Sequence, residues 1–503
     1  MSYLFLTGAT GLLGSYLVRD WLQAGQQVAV LVRSTRFASA EDRMETLLAH
    51  WERQTGYPLP RPVVLEGDLT QEGLGLDASD TQWVRENCTS FVHNAASLTF
   101  YGEGPGTEPW RSNLDGTRHV IDFCRSTGIR EFHHVSTAYV CGDRREGIVR
   151  EDELDVGQKH GNDYEVSKFQ AEQLVRNADC FDSLTVYRPG IIFGDSRTGY
   201  TTTFHGFYVP LKLVCTLIEK TRSIGVSREI LAERIDEAGD RLLELLKLTG
   251  DEYKNFIPVD WVSSVMTWIH QRPDLHGRTY HLTPRQRTRV GDMQRVFQTS
   301  SLEFAVPQSR ALEDNFDWTE FESFFFEQMG VYRSYWQDDP VFDCSNTIAA
   351  APHLPCPEVD RDMLTLMCRY AIESGFGWPR PKTVKPEFSV GQFIRSHIPS
   401  SSAGTAADGV VGLQVNGPGG GQWELRLNHG RVIEARPGLT SQCTATFYLN
   451  TGTFRGLSDS RQSVDEAMAV GRLVIEGNGV PMPELKQALC NVATGRNDAA
   501  AGA

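Results

Sequence analysis

Tyr3-Leu4-Phe5-Leu6-Thr7-Gly8-Ala9-Thr10-Gly11-Leu12-Leu13-Gly14 decides the reading of this chain. The apolar run Tyr3–Thr7 predicts a buried strand. Glycines at 8, 11 and 14 follow at once, and an apolar periodicity from Leu12 to Leu22 predicts a helix. Strand, glycine turn and helix in this order turn free backbone N–H groups and a helix N-terminus toward one point, where an anion is favoured. Gly8 allows the tight turn, Gly11 allows a pyrophosphate to approach the backbone, and Gly14 allows the helix to pack on the strand.

Outward from this stretch, residues 1–140 alternate strand and helix signals. Further buried strands are expected at Val28–Val32, Pro62–Glu66, Ser90–Asn94 and Glu131–Ser136, with helices such as Glu41–Trp51 and Gly116–Cys124 between them. This alternation predicts βαβ units in an α/β, doubly wound parallel sheet of the Rossmann type. Ligands of such sheets bind beyond the carboxyl ends of the strands. Arg33, Asp68, Asn94 and Thr137 fall there. Arg33 and Arg36 follow the second strand, where an acidic residue would bind a ribose 2′-hydroxyl and an arginine accommodates a 2′-phosphate, so the expected cofactor is NADP(H). Tyr164 and Lys168, four apart, share one helical face. An ammonium beside a phenol lowers its pKa toward the range of general acid–base work.

The bulk properties set limits. The chain has 503 residues, 40% hydrophobic and 22% charged, which suggests two to four globular domains. Its net charge of -15 speaks against non-specific nucleic-acid or anionic-membrane binding, although a local basic pocket remains compatible with it. Ten cysteines show neither C-x-x-C spacing nor a His/Cys cluster, so buried reduced thiols are expected and no metal. No basic region precedes an apolar one at the start, and no apolar run approaches about 18 residues. Neither a signal peptide nor a transmembrane segment is expected, and the cytoplasm is the expected compartment.

Several segments together resemble the extended short-chain dehydrogenase/reductase superfamily: Thr7 to Gly14, Gly67-Asp68-Leu69, Asn94-Ala95-Ala96, Asn113 to Thr117, Val135 to Gly142, Tyr164-x-x-x-Lys168 and Tyr187-Arg188-Pro189-Gly190. Order and spacing agree from residue 1 to about 290. The resemblance implies that Thr137 bonds the substrate oxygen, that Tyr164 donates the proton and that Lys168 supports it and holds the cofactor ribose. Ser136 could take the place of Thr137. The implied cofactor contacts are Gly8, Thr10, Gly11, Leu12, Leu13 and Gly14 in the loop and Asp68 and Leu69 at the adenine end. Asn94, Ala95, Ala96 and Asn113 line its path, with Pro189, Gly190 and Ile191 at the nicotinamide. Cys141 departs from the superfamily, where many relatives carry Tyr. Arg188 through Gly199 resembles the branch of fatty acyl-CoA reductases and thioester reductase domains, which implies reduction of an acyl thioester to an aldehyde or alcohol.

Residues 197–256 are expected to carry the substrate side. The aromatic, polar run Gly199–Tyr208 suits a pocket mouth, and Ile230–Leu248 predicts a long amphipathic helix serving either as a lid or as a packed surface or dimer helix. His205 is read as a packed or solvated histidine. An aromatic cluster at Phe321, Phe324, Phe325, Phe326, Tyr332, Tyr335 and Trp336 is expected in a helical extension over 291–383, with a further helix at Met363–Ile372. A boundary is expected at Trp378–Lys382. Beyond it, a helix at Val390–His397, strands at Val410–Val415, Gln422–Leu427, Val432–Ala435 and Cys443–Leu449, and helices at Val464–Val470 and from Met482 predict an α+β domain. Met468 through Gly477, preceded by Trp423-x-Leu425-x-Leu427, resembles the sterol carrier protein 2 family, which implies a lipid-binding domain over 384–497. The tail from Arg496 is expected to be disordered.

The expected activity is NADPH-dependent reduction of a hydrophobic acyl thioester carried by CoA or an acyl carrier protein. The alternatives are a hydroxysteroid-type dehydrogenase or ketoreductase acting on a sterol or other lipid carbonyl, and a lipid carrier with a nucleotide-sensing domain. A homodimer is left open.

Overall fold

The structure, a computed structural model, describes residues 2–222, 228–305, 323, 337–378, 382–398, 407–477 and 480–495. The aromatic cluster expected between Phe321 and Trp336 and the tail from Arg496 lie outside the described residues.

Seven strands form the first sheet: β1 (Tyr3–Thr7), β2 (Val28–Val32), β3 (Val63–Glu66), β4 (Cys88–His93), β5 (Glu131–Val135), β6 (Ser183–Pro189) and β7 (Thr279–Leu282). All pairings are parallel, in the order β3-β2-β1-β4-β5-β6-β7. Every residue of β1 and β2 is buried, as a parallel sheet covered on both faces requires. The helices that cover it are α1 (Leu12–Gln23), α2 (Ala40–Thr55), α3 (Ala78–Asn87), α4 (Gly116–Thr127) and α5 (Asp163–Arg176), with α8 (Val259–His270) later in the chain. The chain runs outward from β1 through β2 to β3, then crosses back over the sheet to β4 on the other side of β1. The crevice between β1 and β4, beyond the strand ends, is the topological switch point.

The substrate side contains α6 (Tyr208–Arg222) and α7 (Arg228–Leu246). The expected helix at Ile230–Leu248 is therefore present, two residues earlier at each end. Leu231 and Ile235 of α7 pack on Ile218 of α6. A second apolar core joins Phe193, Phe207, Phe256 and Phe297 to α9 (Val290–Ser300) and to Met367 and Cys368 of the helix Arg361–Glu373. Residues 337–351 run back across the first sheet's unit. Val341–Phe342 pairs in parallel with Ile148–Val149, and the Leu354 and Ala350 carbonyls accept from the indoles of Trp261 and Trp268.

The last unit is a five-stranded mixed sheet: β8 (Gly409–Asn416), β9 (Gly421–Asn428), β10 (Arg431–Pro437), β11 (Ala445–Asn450) and β12 (Leu473–Gly477), in the order β10-β9-β8-β11-β12. Only β8 with β11 is parallel. Among the described residues, four helices cover it, at Val390–His397, Thr451–Ser458, Val464–Ala469 and Met482–Thr494. Val411, Leu413, Phe447, Phe454 and Leu489 lie fully buried between the layers. This unit docks on the first. The Tyr3 hydroxyl donates to Gln422 Oε1 at 3.0 Å and accepts from the Leu439 N–H at 2.6 Å, and the Trp83 indole donates to the Pro437 carbonyl at 2.7 Å.

Candidate active site

The glycine turn adopts the expected cradle. Gly8 has φ 75, and a Cβ there would stand 2.7 Å from the Ala95 nitrogen. A Cβ on Gly14 would stand 2.0 Å from the Gly8 carbonyl oxygen, so only glycine lets α1 sit this close to the turn. Gly11 caps α1 with no side-chain hydrogen bond, and no acidic residue occupies the first turn. The helix N-terminus therefore offers its N–H groups and positive end to a ligand. The Thr7 hydroxyl fixes the opposite wall by accepting from the N–H groups of Asn94 and Ala95, both at 3.2 Å, and it lies 2.9 Å from His93 Nδ1. Burial pushes that histidine down to about 3, so it is neutral.

One cleft of about 660 Å³ runs from this cradle in both directions. Toward β2 and β3 it is lined by Arg33, Arg43, Asp68 and Leu69, and along its floor by Thr10, Gly11, Leu12, Leu13, Asn94, Ala95 and Ala96. Toward β5 and β6 it meets Thr137, Tyr164, Lys168, Pro189, Gly190 and Ile191, and it continues to Glu108, His205, Phe207, Lys254 and Phe256. Residues far apart in the chain thus border a single elongated space.

Not every expected residue lines it. Gly14 lies beneath the turn. Asn113 is buried behind the wall, donating to the Ser97 carbonyl at 3.1 Å and accepting from the Ser97 N–H at 2.7 Å, so it shapes the loop rather than facing the cleft. Arg36 lies over the ring of Phe37, 4.4 Å from its centroid, outside the cleft. Arg43 stands in its place: it lines the cleft and donates to the Thr10 hydroxyl at 2.8 Å and to the Arg33 carbonyl. It comes from the first turns of α2, and a third arginine soon after the second strand was its only signal in the sequence. Arg33 reaches Asp68 at 3.5 Å. Against the burial that raises it, the Thr70 N–H and hydroxyl together with Arg33 hold the Asp68 carboxyl below its usual range.

At the other end, Tyr164 projects from α5 with Lys168 one turn on. Thr137, at the end of β5, hydrogen-bonds the Tyr164 phenol. Ser136 and Thr137 both line the cleft, and the Thr137 hydroxyl also lies 3.5 Å from the Pro189 carbonyl. Burial raises the Tyr164 pKa above the usual phenol value, Glu165 adds to this, and the Thr137 bond opposes it. The expected lowering by lysine is not among the influences on this phenol; the Lys168 ammonium donates to the Val135 carbonyl at 2.7 Å. Burial pushes Lys168 itself down to about 8, against the pull of Glu172. The phenol therefore holds its proton at neutral pH, the form a proton donor needs. Helix α5 is fixed in turn by a buried ion pair, with Arg188 Nη2 2.6 Å from Glu172 Oε1 and both side chains at most 1% exposed.

The far end holds Lys254, Asp339 and Glu108, which sequence reading missed. Lys254 pairs with the buried Asp339, which also accepts from the Tyr139 hydroxyl at 2.6 Å and from the Asn255 N–H at 2.9 Å. Glu108 accepts from Ser112 at 2.6 Å through Oε1, while its buried Oε2 has no hydrogen-bond partner among the described residues. His205 borders the cleft with its pKa lowered by burial.

Residues 6–266, just over half of the chain, match the NAD-binding male sterility protein family. The chain belongs to that family, whose members are nicotinamide-nucleotide-dependent oxidoreductases. Among curated relatives, an aldehyde reductase of Aspergillus flavus is 29% identical over 311 residues, covering 58% of this chain and 26% of that protein. A non-canonical nonribosomal peptide synthetase of Cladobotryum sp is 27% identical over 302 residues, covering 58% and 27%. The chain spans about a quarter of the length of these relatives. Among solved structures, the terminal R domain of the myxalamid PKS-NRPS pathway is similar with TM-score 0.56 and 24% identity, covering 76% of this chain and 93% of that one. A reductase domain of a nonribosomal peptide synthetase from Mycobacterium tuberculosis gives 0.52 and 21%, covering 74% and 92%. These two likenesses establish the fold. No helix among the described residues is long and apolar enough to cross a membrane.

Proposed function

We propose that this chain is an NADPH-dependent reductase that converts a hydrophobic acyl thioester, on CoA or a carrier protein, to the aldehyde. The observation that carries the proposal is the single cleft joining the glycine cradle and two arginines at one end to Thr137, Tyr164 and Lys168 at the other. The residues fit a dinucleotide: N–H groups at the α1 N-terminus would receive the pyrophosphate, and Arg33 and Arg43 would bind a 2′-phosphate. The bound nucleotide supplies hydride.

The chain's own residues do the rest. Thr137 and Tyr164 direct their hydroxyls at the substrate carbonyl oxygen and stabilise the charge that develops there. Tyr164 passes its proton to that oxygen as the carbonyl carbon gains hydride, giving a hemithioacetal. The C–S bond then breaks, and aldehyde and thiol leave. Lys168 would hold the cofactor ribose. Phe207 and Phe256 give the far end an apolar wall suited to an acyl chain. Reading the C-terminal sheet unit as a lipid carrier rests on the sterol carrier protein resemblance and belongs to the same proposal.

Incubation with NADPH and long-chain acyl-CoA should oxidise NADPH and yield one aldehyde per turnover, trapped as its hydrazone and identified by mass spectrometry. Oxidation of NADPH with a ketone or 3-ketosteroid but not with acyl thioesters would replace this reading by a ketoreductase.

A further inference from the structure

A second polar cluster lies at the start of β5, at the opposite end of that strand from Thr137. Glu131 and His133 come from β5, and His270 is the last residue of α8. Each presents one potential ligand atom, and the three atoms lie within 4.8 Å of one another. His133 Nε2 is 3.2 Å from Glu131 Oε1, and the ring's other nitrogen is 3.2 Å from the Tyr187 hydroxyl. His270 Nδ1 is buried with no hydrogen-bond partner among the described residues, while its Nε2 is 3.3 Å from the Ser90 hydroxyl. His133 is fully buried and His270 is 9% exposed. The second oxygen of Glu131 lies 3.6 Å from His276 Nδ1.

We propose that Glu131, His133 Nε2 and His270 Nδ1 form a binding site for one divalent transition-metal ion of the Zn²⁺ class. Each imidazole turns one nitrogen to the cluster and anchors the other on a hydroxyl, the arrangement that fixes the orientation of a ligating histidine. His276 steadies the carboxylate in the same way. A buried ring nitrogen without a partner costs free energy unless something occupies it, and a cation would. Two imidazoles and one carboxylate make a borderline donor set, which selects zinc or cobalt over magnesium or calcium. Three protein ligands leave a fourth position for water on the side of Glu131, whose side chain is partly exposed and gives the ion a route in. The ion would tie the end of α8 to β5, away from the cleft. Its role is structural and independent of the proposed reduction.

The test uses the untagged full chain after removal of metal with a chelator. Titration with Co²⁺ should give visible d–d bands that saturate at one equivalent and are displaced by one equivalent of Zn²⁺. Zn²⁺ should also raise the Tm. His270→Ala and Glu131→Gln should each abolish the bands or weaken Co²⁺ binding by more than about 10-fold, the scale on which loss of an outer partner already acts. Far-UV circular dichroism checks folding; should His270→Ala fail to fold, Glu131→Gln, which keeps the side chain's shape, decides. Absence of the bands in the unaltered chain, or undiminished Co²⁺ binding in the folded variants, overturns the proposal.

Discussion

Tyr164 is an acid held in its protonated form by burial, with Thr137 as its hydrogen-bond partner. Tyr164→Phe removes the transferable proton and little else. Turnover should fall by about 10²–10⁴-fold, the range of general acid catalysis, while NADPH affinity measured by fluorescence stays within a factor of about two. Lys168 sets a pH limit. Its folded-state pKa of about 8 lies below the ordinary lysine value of 10.5, so the ammonium is present below pH 8 and lost above it. With the cationic form holding the ribose as proposed, NADPH affinity should be constant below about pH 7 and fall as pH rises through about 8. Lys168→Met should flatten that profile; an unaltered fall in the variant would remove Lys168 from cofactor binding. At the opposite end, Arg43 offers what Arg36 was expected to supply. Arg43→Ala should weaken NADPH by about 10-fold or more, the worth of one charge-assisted hydrogen bond, and leave NADH nearly unchanged. Equal losses for both nucleotides would show that Arg43 serves only the loop.

Helix α5 carries both Tyr164 and Lys168, so its placement governs the chemistry. Its anchor is Glu172, one turn beyond Lys168, clamped by Arg188 from β6. Against the burial that raises it, Arg188 holds the Glu172 carboxyl below its usual range. Arg188→Met would leave that carboxylate buried with its main counter-charge gone, at a cost of about 3–5 kcal/mol in unfolding free energy, measured by urea denaturation. The conspicuous Arg188-Pro189-Gly190 segment thus combines two roles: the arginine positions α5, and the proline and glycine line the cleft. The turn after β1 was readable for a different reason. Its glycines answer a local requirement, since a Cβ at 8 or 14 collides with backbone only a short way along the chain or across one strand. The exchange of Arg36 for Arg43 was not readable, because it depends on how α2 rolls against the sheet.

The two sheet units meet through Tyr3 and Trp83, at the opposite end of β1 from the glycine turn. Tyr3→Phe deletes a hydroxyl that donates to Gln422 and accepts from the Leu439 N–H. Two buried partners are left unsatisfied, and the expected loss is about 1–3 kcal/mol. Because the loss is local to the interface, hydrogen exchange at the Leu439 amide should accelerate while that at Val30, in the middle of the first sheet, does not. Equal acceleration at both would mean that the units unfold as one. Residues 337–351 bind the molecule together differently. Asp339 brings Lys254, Tyr139 and Asn255 into one buried set at the far end of the cleft.

The sequence by itself determined the first five strands of the parallel sheet, the glycine cradle, the placement of Tyr164 and Lys168 on one helical face and four of the five strands of the C-terminal sheet. All of these follow from short-range facts: hydrophobic period, glycine at strained or crowded positions, and side chains one helical turn apart. Only the tertiary structure decided that Arg43 faces the cleft and Arg36 does not. Only it showed that Lys168 reaches a carbonyl while burial raises the phenol, and that Glu131, His133 and His270 converge. Those features depend on the distances between elements remote in the chain and on how much water their packing excludes, quantities that no local pattern of residues records.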